Sequence, residues 1–229
     1  MIPFTRMIRY GNVIPEYGTM IGYEFGAGTI GTSTGAYPVH PRTPTELIAV
    51  PGSTGFMQRL TNITYWMDPT NNFSIGTKDF EMTFTFYLYA GTSYDVLLSH
   101  VSDAVQAFPV GGIRLQIGDA GYGNRLQLYA GNIASATMWS LGVTRTEMTN
   151  RVNKLVVKRV NGIMSCTMND DVLLIGVGTG ASNQSTVVNT QSVNTKFLYF
   201  GETPPGTTQW AVDMGLINYS VQIIKGGST

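Results

Sequence analysis

The chain has 229 residues, of which 43% are hydrophobic and only 12% charged, with 14 basic residues balancing 14 acidic ones. Ordinary soluble domains carry roughly 25% charged residues, and phosphate binding needs clustered positive charge, so the balance argues against nucleic acid as the main partner. The one cysteine, Cys166, excludes an internal disulfide, no apolar run approaches the roughly 18 residues of a membrane helix, and the start MIPFTRMIRYGN lacks the apolar core and cleavage site of a signal peptide.

Taken in chain order, residues 1–20 are mixed, carry Pro3 and Pro15, and read as an arm ahead of a single domain over 21–229. The arm holds Ile2, Phe4, Met7, Ile8, Tyr10, Val13 and Ile14, too much apolar surface to leave in water. An extended segment that adds to a sheet edge or lies across a neighbouring subunit would bury it. Residues 26–55 are rich in Gly, Thr, Ser and Pro and read as loops with brief strands, LIAV at 47–50 among them. The clearest strand is FEMTFTFYLY, 80–89, where Phe80, Met82, Phe84, Phe86 and Leu88 alternate with Glu81, Thr83, Thr85, Tyr87 and Tyr89. Ile113, Leu115 and Ile117 form the next alternation, and a glycine-rich turn at 118–123 joins it to Leu126 and Leu128. One short helical turn is expected within 140–152.

The stretch KLVVKRVNGIMSCTMNDDVLL, 154–174, carries two turn signals, Asn161-Gly162 and Asn169-Asp170. A two-residue Asn-Gly loop favours a type I′ turn, because both central residues need positive φ. Val160 then faces Ile163, Arg159 faces Met164 and Val157 faces Cys166. The drier face, with Leu155, Val157, Met164, Cys166 and Met168, should look into a core, and the whole is a three-strand meander. Cys166 reads as a small buried hydrophobe. KFLYFG at 196–201 is a further strand, and Ile217, Tyr219, Val221 and Ile223 alternate near the end. The 27 glycines, the frequent turns and the lack of any sustained 3.6-residue period predict an all-β antiparallel sandwich or jelly roll.

The strand order resembles a known family. FSIGTKDFEMTFTFYLYAGTSYDVLLSH, 73–100, is similar to the opening of the laminin-G-like, concanavalin A-like domains common in bacteriophage virion proteins. Phe73, Gly76, Asp79, Phe80, Thr83 and Phe84 match its aromatic phrase. The 154–174 meander resembles its paired strands, KFLYFGETPPG its short strand and loop, and MGLINYSVQIIKG its closing strand. The likeness runs from about Tyr23 to Gly226. Asn153 and Lys154 stand where the family carries a Trp-His pair, and Asn218 and Tyr219 replace its closing acidic pair, so ligand roles tied to those positions do not carry over. The resemblance implies a concanavalin A-like jelly roll of two curved sheets packed face to face.

That fold hosts lectins, glucanases, adhesion modules and structural parts alike. Glycoside hydrolysis needs two carboxylates flanking one bond, about 5–10 Å apart. The Glu-x-Asp-x-x-Glu run that supplies them on this fold is absent, and Glu81 is alone among threonines, so no enzyme is expected. His40 and His100 belong to no catalytic motif, and GVGTG at 176–180 lacks the spacing and the helix of a phosphate loop. No cofactor is expected. Calcium is the one ion the resemblance admits, with Asp95, Asp103, Asp119, Asp170, Asp171 and Asp213 near expected loops, although loop acids are usually only solvated.

Sugar binding would use exposed aromatics, for which Tyr87, Tyr89, Tyr94, Tyr122 and Trp210 are the candidates. Trp66 and Trp139 are read as packing in or under the sandwich. The leading expectation is a virion structural protein assembled in the host cytoplasm, most consistent with capsid decoration. It would bind capsid or tail neighbours and further copies of itself through the arm and a neutral surface. A lectin-like, receptor-binding tail or fibre module with a glycan partner is the alternative, and a bacterial or prophage adhesion domain comes third. Neither nucleic acid nor membrane insertion is expected.

Overall fold

The computed structural model describes residues 16–25, 32–33, 40–41, 46–60, 66–67, 75–91, 95–101, 112–118, 121, 123–131, 137–178, 183–193, 197–201 and 213–225. In chain order the strands are β1 (Glu16–Glu24), β2 (Thr32–Ser33), β3 (His40–Pro41), β4 (Glu46–Ala49), β5 (Phe56–Leu60), β6 (Trp66–Met67), β7 (Phe80–Leu88), β8 (Asp95–Val101), β9 (Gly112–Ile117), β10 (Arg125–Gly131) and β11 (Thr137–Thr144). After the short helix α1 (Arg145–Met148) come β12 (Arg151–Val160), β13 (Ile163–Met168), β14 (Asp171–Val172), β15 (Ile175–Val177), β16 (Thr186–Val188), β17 (Phe197–Phe200) and β18 (Met214–Lys225). One sheet runs β14-β13-β12-β7-β18-β1-β2, with β16 beside β13 and with β5 and β4 beside the start of β18. The other runs β15-β11-β10-β9-β8-β17. This is the expected all-β antiparallel sandwich.

The Asn161-Gly162 hairpin has the predicted register, Val160 opposite Ile163, Arg159 opposite Met164 and Val157 opposite Cys166. Asn161 and Gly162 adopt φ of 52° and 71°, as a type I′ turn requires. Asn169 and Asp170 form the second left-handed pair, and β14 returns along β13. Leu155, Val157, Met164, Cys166 and Met168 are all buried. Burial pushes the Cys166 thiol up to about 12, so it remains a protonated, inert core side chain.

The long strand β7 is central, flanked by β12 and β18. Its apolar face stacks Phe84 on Phe86 at 4.8 Å between ring centroids. Phe84 also meets Phe200 of the opposite sheet at 5.9 Å, so aromatic packing joins the two layers. His100 and Tyr219 span the same gap, with Nδ1 and the phenol oxygen 2.8 Å apart in a hydrogen bond. Full burial lowers the His100 pKa to about 3, so the ring is neutral at ordinary pH.

Three features depart from a simple apolar-in, polar-out alternation. A bulge between Leu216 and Asn218 adds a residue to β18. Leu216 and Tyr219 therefore both face the main core, while Ile217, expected to share a face with Tyr219, packs on the other side with Val50, Met57 and Tyr87. That smaller apolar layer forms where β5 lies beside β18, and it depends on Gly215: a Cβ there would sit 2.1 Å from Met57 Sδ. Second, both faces of β9 are buried, so Arg114 and Gln116 are as hidden as Ile113 and Leu115. Gln116 Nε2 donates to Gln127 Oε1 at 2.7 Å on the neighbouring strand. Third, Arg159 follows Leu155 and Val157 inward and is fully buried. It donates to the carbonyls of Gln191, Gly76 and Lys78 at 2.8, 2.9 and 2.5 Å, and its guanidinium lies 5.0 Å over the Phe80 ring.

Residues 16–20, taken as the end of the arm, are the first part of β1 and pair with β18. The arm candidates Ile2, Phe4, Met7, Ile8, Tyr10, Val13 and Ile14 lie outside the described residues. Among the described residues no helix is long and apolar enough to cross a membrane.

Candidate functional site

Of the aromatic candidates, Tyr87 and Tyr89 are described, and Tyr94, Tyr122 and Trp210 lie outside the described residues. Strand alternation puts Tyr87 and Tyr89 on the outer face of β7, with their ring centroids 4.9 Å apart. Tyr87 is not an exposed platform: it is 6% accessible and belongs to the apolar layer with Val50 and Met57. Tyr89, one step beyond the strand, is half-buried. Its backbone N–H donates to the Asp213 carbonyl at 3.1 Å, which fixes it beside the start of β18.

Around Tyr89 the fold gathers a polar pair that is distant in sequence. Arg59 on β5 donates from Nε and Nη2 to the two Asp213 carboxylate oxygens at 3.2 and 2.9 Å. Its guanidinium carbon lies 4.6 Å from the Tyr89 ring centroid. Arg59 and Asp213 remain about one-third exposed, at 35% and 36% of their side-chain surface. A guanidinium and a carboxylate each offer several hydrogen-bonding positions. A hydroxyl-rich ligand at this corner would find an aromatic body, guanidinium donors and carboxylate acceptors together. The motif reading missed Arg59 and Asp213 as a pair, since 154 residues separate them.

A second concave feature lies at the α1 end of the sandwich. One lobe, of about 500 Å³, is lined by Arg125, Gly142, Thr144, Glu147, Val172, Leu173 and Leu174. An adjoining lobe of about 210 Å³ shares Gly142, Glu147 and Leu173 and adds Arg151, Asn153 and Asp171 among others. The Thr144–Glu147 capping box shapes one wall: Thr144 N–H and hydroxyl both donate to Glu147 Oε2, at 2.7 and 2.8 Å. These bonds, the backbone one foremost, hold the Glu147 carboxyl below the usual carboxylate range. The opposite wall is the 172–174 segment, tied by Gly142 N–H donating to the Leu174 carbonyl at 2.8 Å.

The acids considered for calcium are dispersed. Asp95 is buried against Arg145, and desolvation raises its pKa despite that partner. Asp213 pairs with Arg59, Asp170 lies 3.8 Å from Lys154, and Asp171 lines the groove. Asp103 and Asp119 fall outside the described residues. Among the described residues no three His, Cys, Asp or Glu side chains gather into a metal-holding group. Glu81 is paired with Lys158 at 3.1 Å on the outer face of β7.

No protein-family model and no curated protein sequence match this chain. Solved structures do. The exoplasmic/lumenal domain of VIP36, in its Ca2+/Man3GlcNAc-bound form, superposes with a TM-score of 0.51 at 12% identity, covering 83% of this chain and 86% of that one. The binding domain of botulinum neurotoxin DC, in complex with SialylT, gives a TM-score of 0.54 at 12% identity over 89% of this chain and 45% of that one. Trypanosoma rangeli sialidase gives 0.54 at 12% identity over 88% of this chain and 30% of that one. The chain thus spans under half the length of the neurotoxin and sialidase structures. At such identity the likeness concerns the path of the backbone, and with two antiparallel sheets packed over one apolar core it shows a concanavalin A-like, lectin-type jelly-roll fold.

Proposed function

We propose that this protein is a non-enzymatic, lectin-type recognition module of a virion, binding carbohydrate through the Tyr89–Arg59–Asp213 corner. The observation that carries the reading is that corner: an aromatic ring, a guanidinium and a carboxylate held together at the surface by a bidentate pair. Two structures of like fold were solved with SialylT or Man3GlcNAc bound, which supports carbohydrate as the ligand class. Binding without cleavage is part of this reading, and four of the described acids have partners. Glu81, Asp95, Asp213 and Glu147 are each engaged by a cation or a cap, in different parts of the fold. The virion setting rests on the sequence resemblance over 23–226 and on the low charge content.

The test is a glycan array followed by calorimetry on the hits. Tyr89→Ala and Arg59→Ala should each weaken binding at least tenfold while leaving every glycan intact after prolonged incubation. Binding unchanged in both variants, or release of free sugar, would refute the reading. Capsid decoration is the second reading, favoured by the low charge and by the lack of any long fibrous segment. Hundreds of copies per particle would identify decoration, and a few or tens would identify a tail or fibre part.

A further inference from the structure

Asp213 is held from two sides. Its backbone carbonyl accepts from the Tyr89 N–H at 3.1 Å, and its two carboxylate oxygens accept from Arg59 Nε and Nη2 at 3.2 and 2.9 Å. It stands immediately before β18, whose first residues, Met214 and Gly215, pair with Leu60 and Arg59 on one side and with Leu88 and Tyr87 on the other. The carboxylate is thus fixed in place, yet 36% of the side-chain surface remains open.

A carboxylate has about four acceptor positions. Arg59 fills two of them, and among the described residues it is the one donor to this carboxylate. The other positions need donors from whatever occupies the corner. A sugar hydroxyl both donates and accepts, so it can donate to Asp213 while accepting from another group. A ligand carboxylate or sulfate has no proton to give at neutral pH. Placed here, it would leave the open positions of Asp213 without a donor and set two negative charges side by side. We infer that Asp213 sets the specificity of this corner: it admits neutral sugars through their free hydroxyls and turns away sugars that carry a carboxylate or a sulfate. The inference rests on the carbohydrate reading given above.

Arg59 does not reverse this preference. Its charge is already met by Asp213 at hydrogen-bond distance, and its guanidinium is held 4.6 Å over the Tyr89 ring. A fork-to-fork grip on a ligand carboxylate would use the same Nε and Nη2 edge and would require Arg59 to let go of Asp213. The ligand would gain one ion pair at the expense of another, and a second carboxylate would be left beside it uncompensated. Discrimination of this kind comes from the unpaired charge that the wrong ligand creates, as much as from contacts to the right one.

The test uses the full-length chain on an array of matched glycan pairs, such as lactose with sialyllactose and N-acetylglucosamine oligomers with their sulfated forms, followed by calorimetry. In each pair that binds, the neutral member should bind at least tenfold more tightly. Asp213→Asn keeps the shape and removes the charge, so it should move that ratio at least tenfold toward the acidic member, and the acidic binding it gains should weaken as salt is raised. The ratio in the unaltered protein needs no variant, so it decides the matter even if Asp213→Asn folds poorly. No binding to any glycan, or binding that Tyr89→Ala and Arg59→Ala leave unchanged, would remove the carbohydrate reading and this inference with it. Binding that needs Tyr89 and Arg59 but favours the acidic member, shows no preference, or keeps its ratio in a folded Asp213→Asn would overturn the role of Asp213 alone.

Discussion

His100 and Arg159 show what burial does to single polar side chains here. The imidazole is neutral because the core disfavours its charged form, and the Tyr219 hydroxyl bonds to it there. Its pKa falls from the ordinary 6.5 to about 3 in the fold, so between these values the unfolded chain takes up a proton that the folded chain refuses. Stability from this group is complete above the unfolded pKa and is lost as pH falls through that window. Near pH 4.5 the loss should be about 2–3 kcal/mol. Urea unfolding of the unaltered protein and of His100→Gln, at neutral pH and at about pH 4.5, isolates the imidazole. Equal acid sensitivity in the two proteins would rule it out. Arg159 is the opposite case, a cation kept inside by three carbonyls that bind the 75–79 and 189–193 segments. Arg159→Ala should cost about 3–5 kcal/mol and speed amide exchange in both segments. A melting curve unchanged from the parent would show that the segments hold themselves.

Among the elements, the β12–β13 hairpin is set by its turn. Gly162 has φ +71°, and a Cβ there would lie 3.1 Å from Thr190 Cγ2. Gly162→Val adds a branched side chain to a left-handed backbone and should cost about 2 kcal/mol, whereas Asn161→Gly should cost less than about 1 kcal/mol. Equal losses in chemical unfolding would mean that the turn does not set the register. Alternation along β7 and β12 was legible residue by residue, since each side chain's face follows from its parity in the strand. The same parity puts Arg159 inward, a placement that its charge hides from a hydrophobicity reading. β18 misled for another reason. Its bulge adds one residue, and everything beyond it changes face relative to what comes before.

At the scale of the whole molecule, the low charge content bears on assembly. A contact made by apolar side chains and main-chain bonds is little affected by screening, since salt weakens only the ionic part. Any association made through the apolar residues of 1–15 should therefore persist at about 1 M salt, where the Debye length is about 3 Å. Light scattering across a salt series checks this, and dissociation at high salt would point to Arg6 and Arg9 as the main contacts. The recognition corner is a product of the same scale. Arg59, Tyr89 and Asp213 come from β5, the end of β7 and the start of β18, and they meet because β5 lies beside the first residues of β18.

By itself the sequence determined what local rules decide. The 2-residue period along β7 and β12 and the left-handed Asn-Gly and Asn-Asp turns follow from backbone sterics and from side chains alternating across a pleat. So does the all-β class, because strands this short and this turn-rich bury their apolar faces only by stacking sheets. Only the tertiary structure decided which polar side chains are hidden. Arg114 and Gln116 are buried because both faces of β9 are covered, which no local pattern encodes. It also decided that Tyr87 lies under Met57 while Tyr89 stays partly open, because a strand's outer face is wet or dry according to what crosses it. The pairing of Arg59 with Asp213 belongs to the same class, since a contact across 154 residues exists only once the strands between have taken their places.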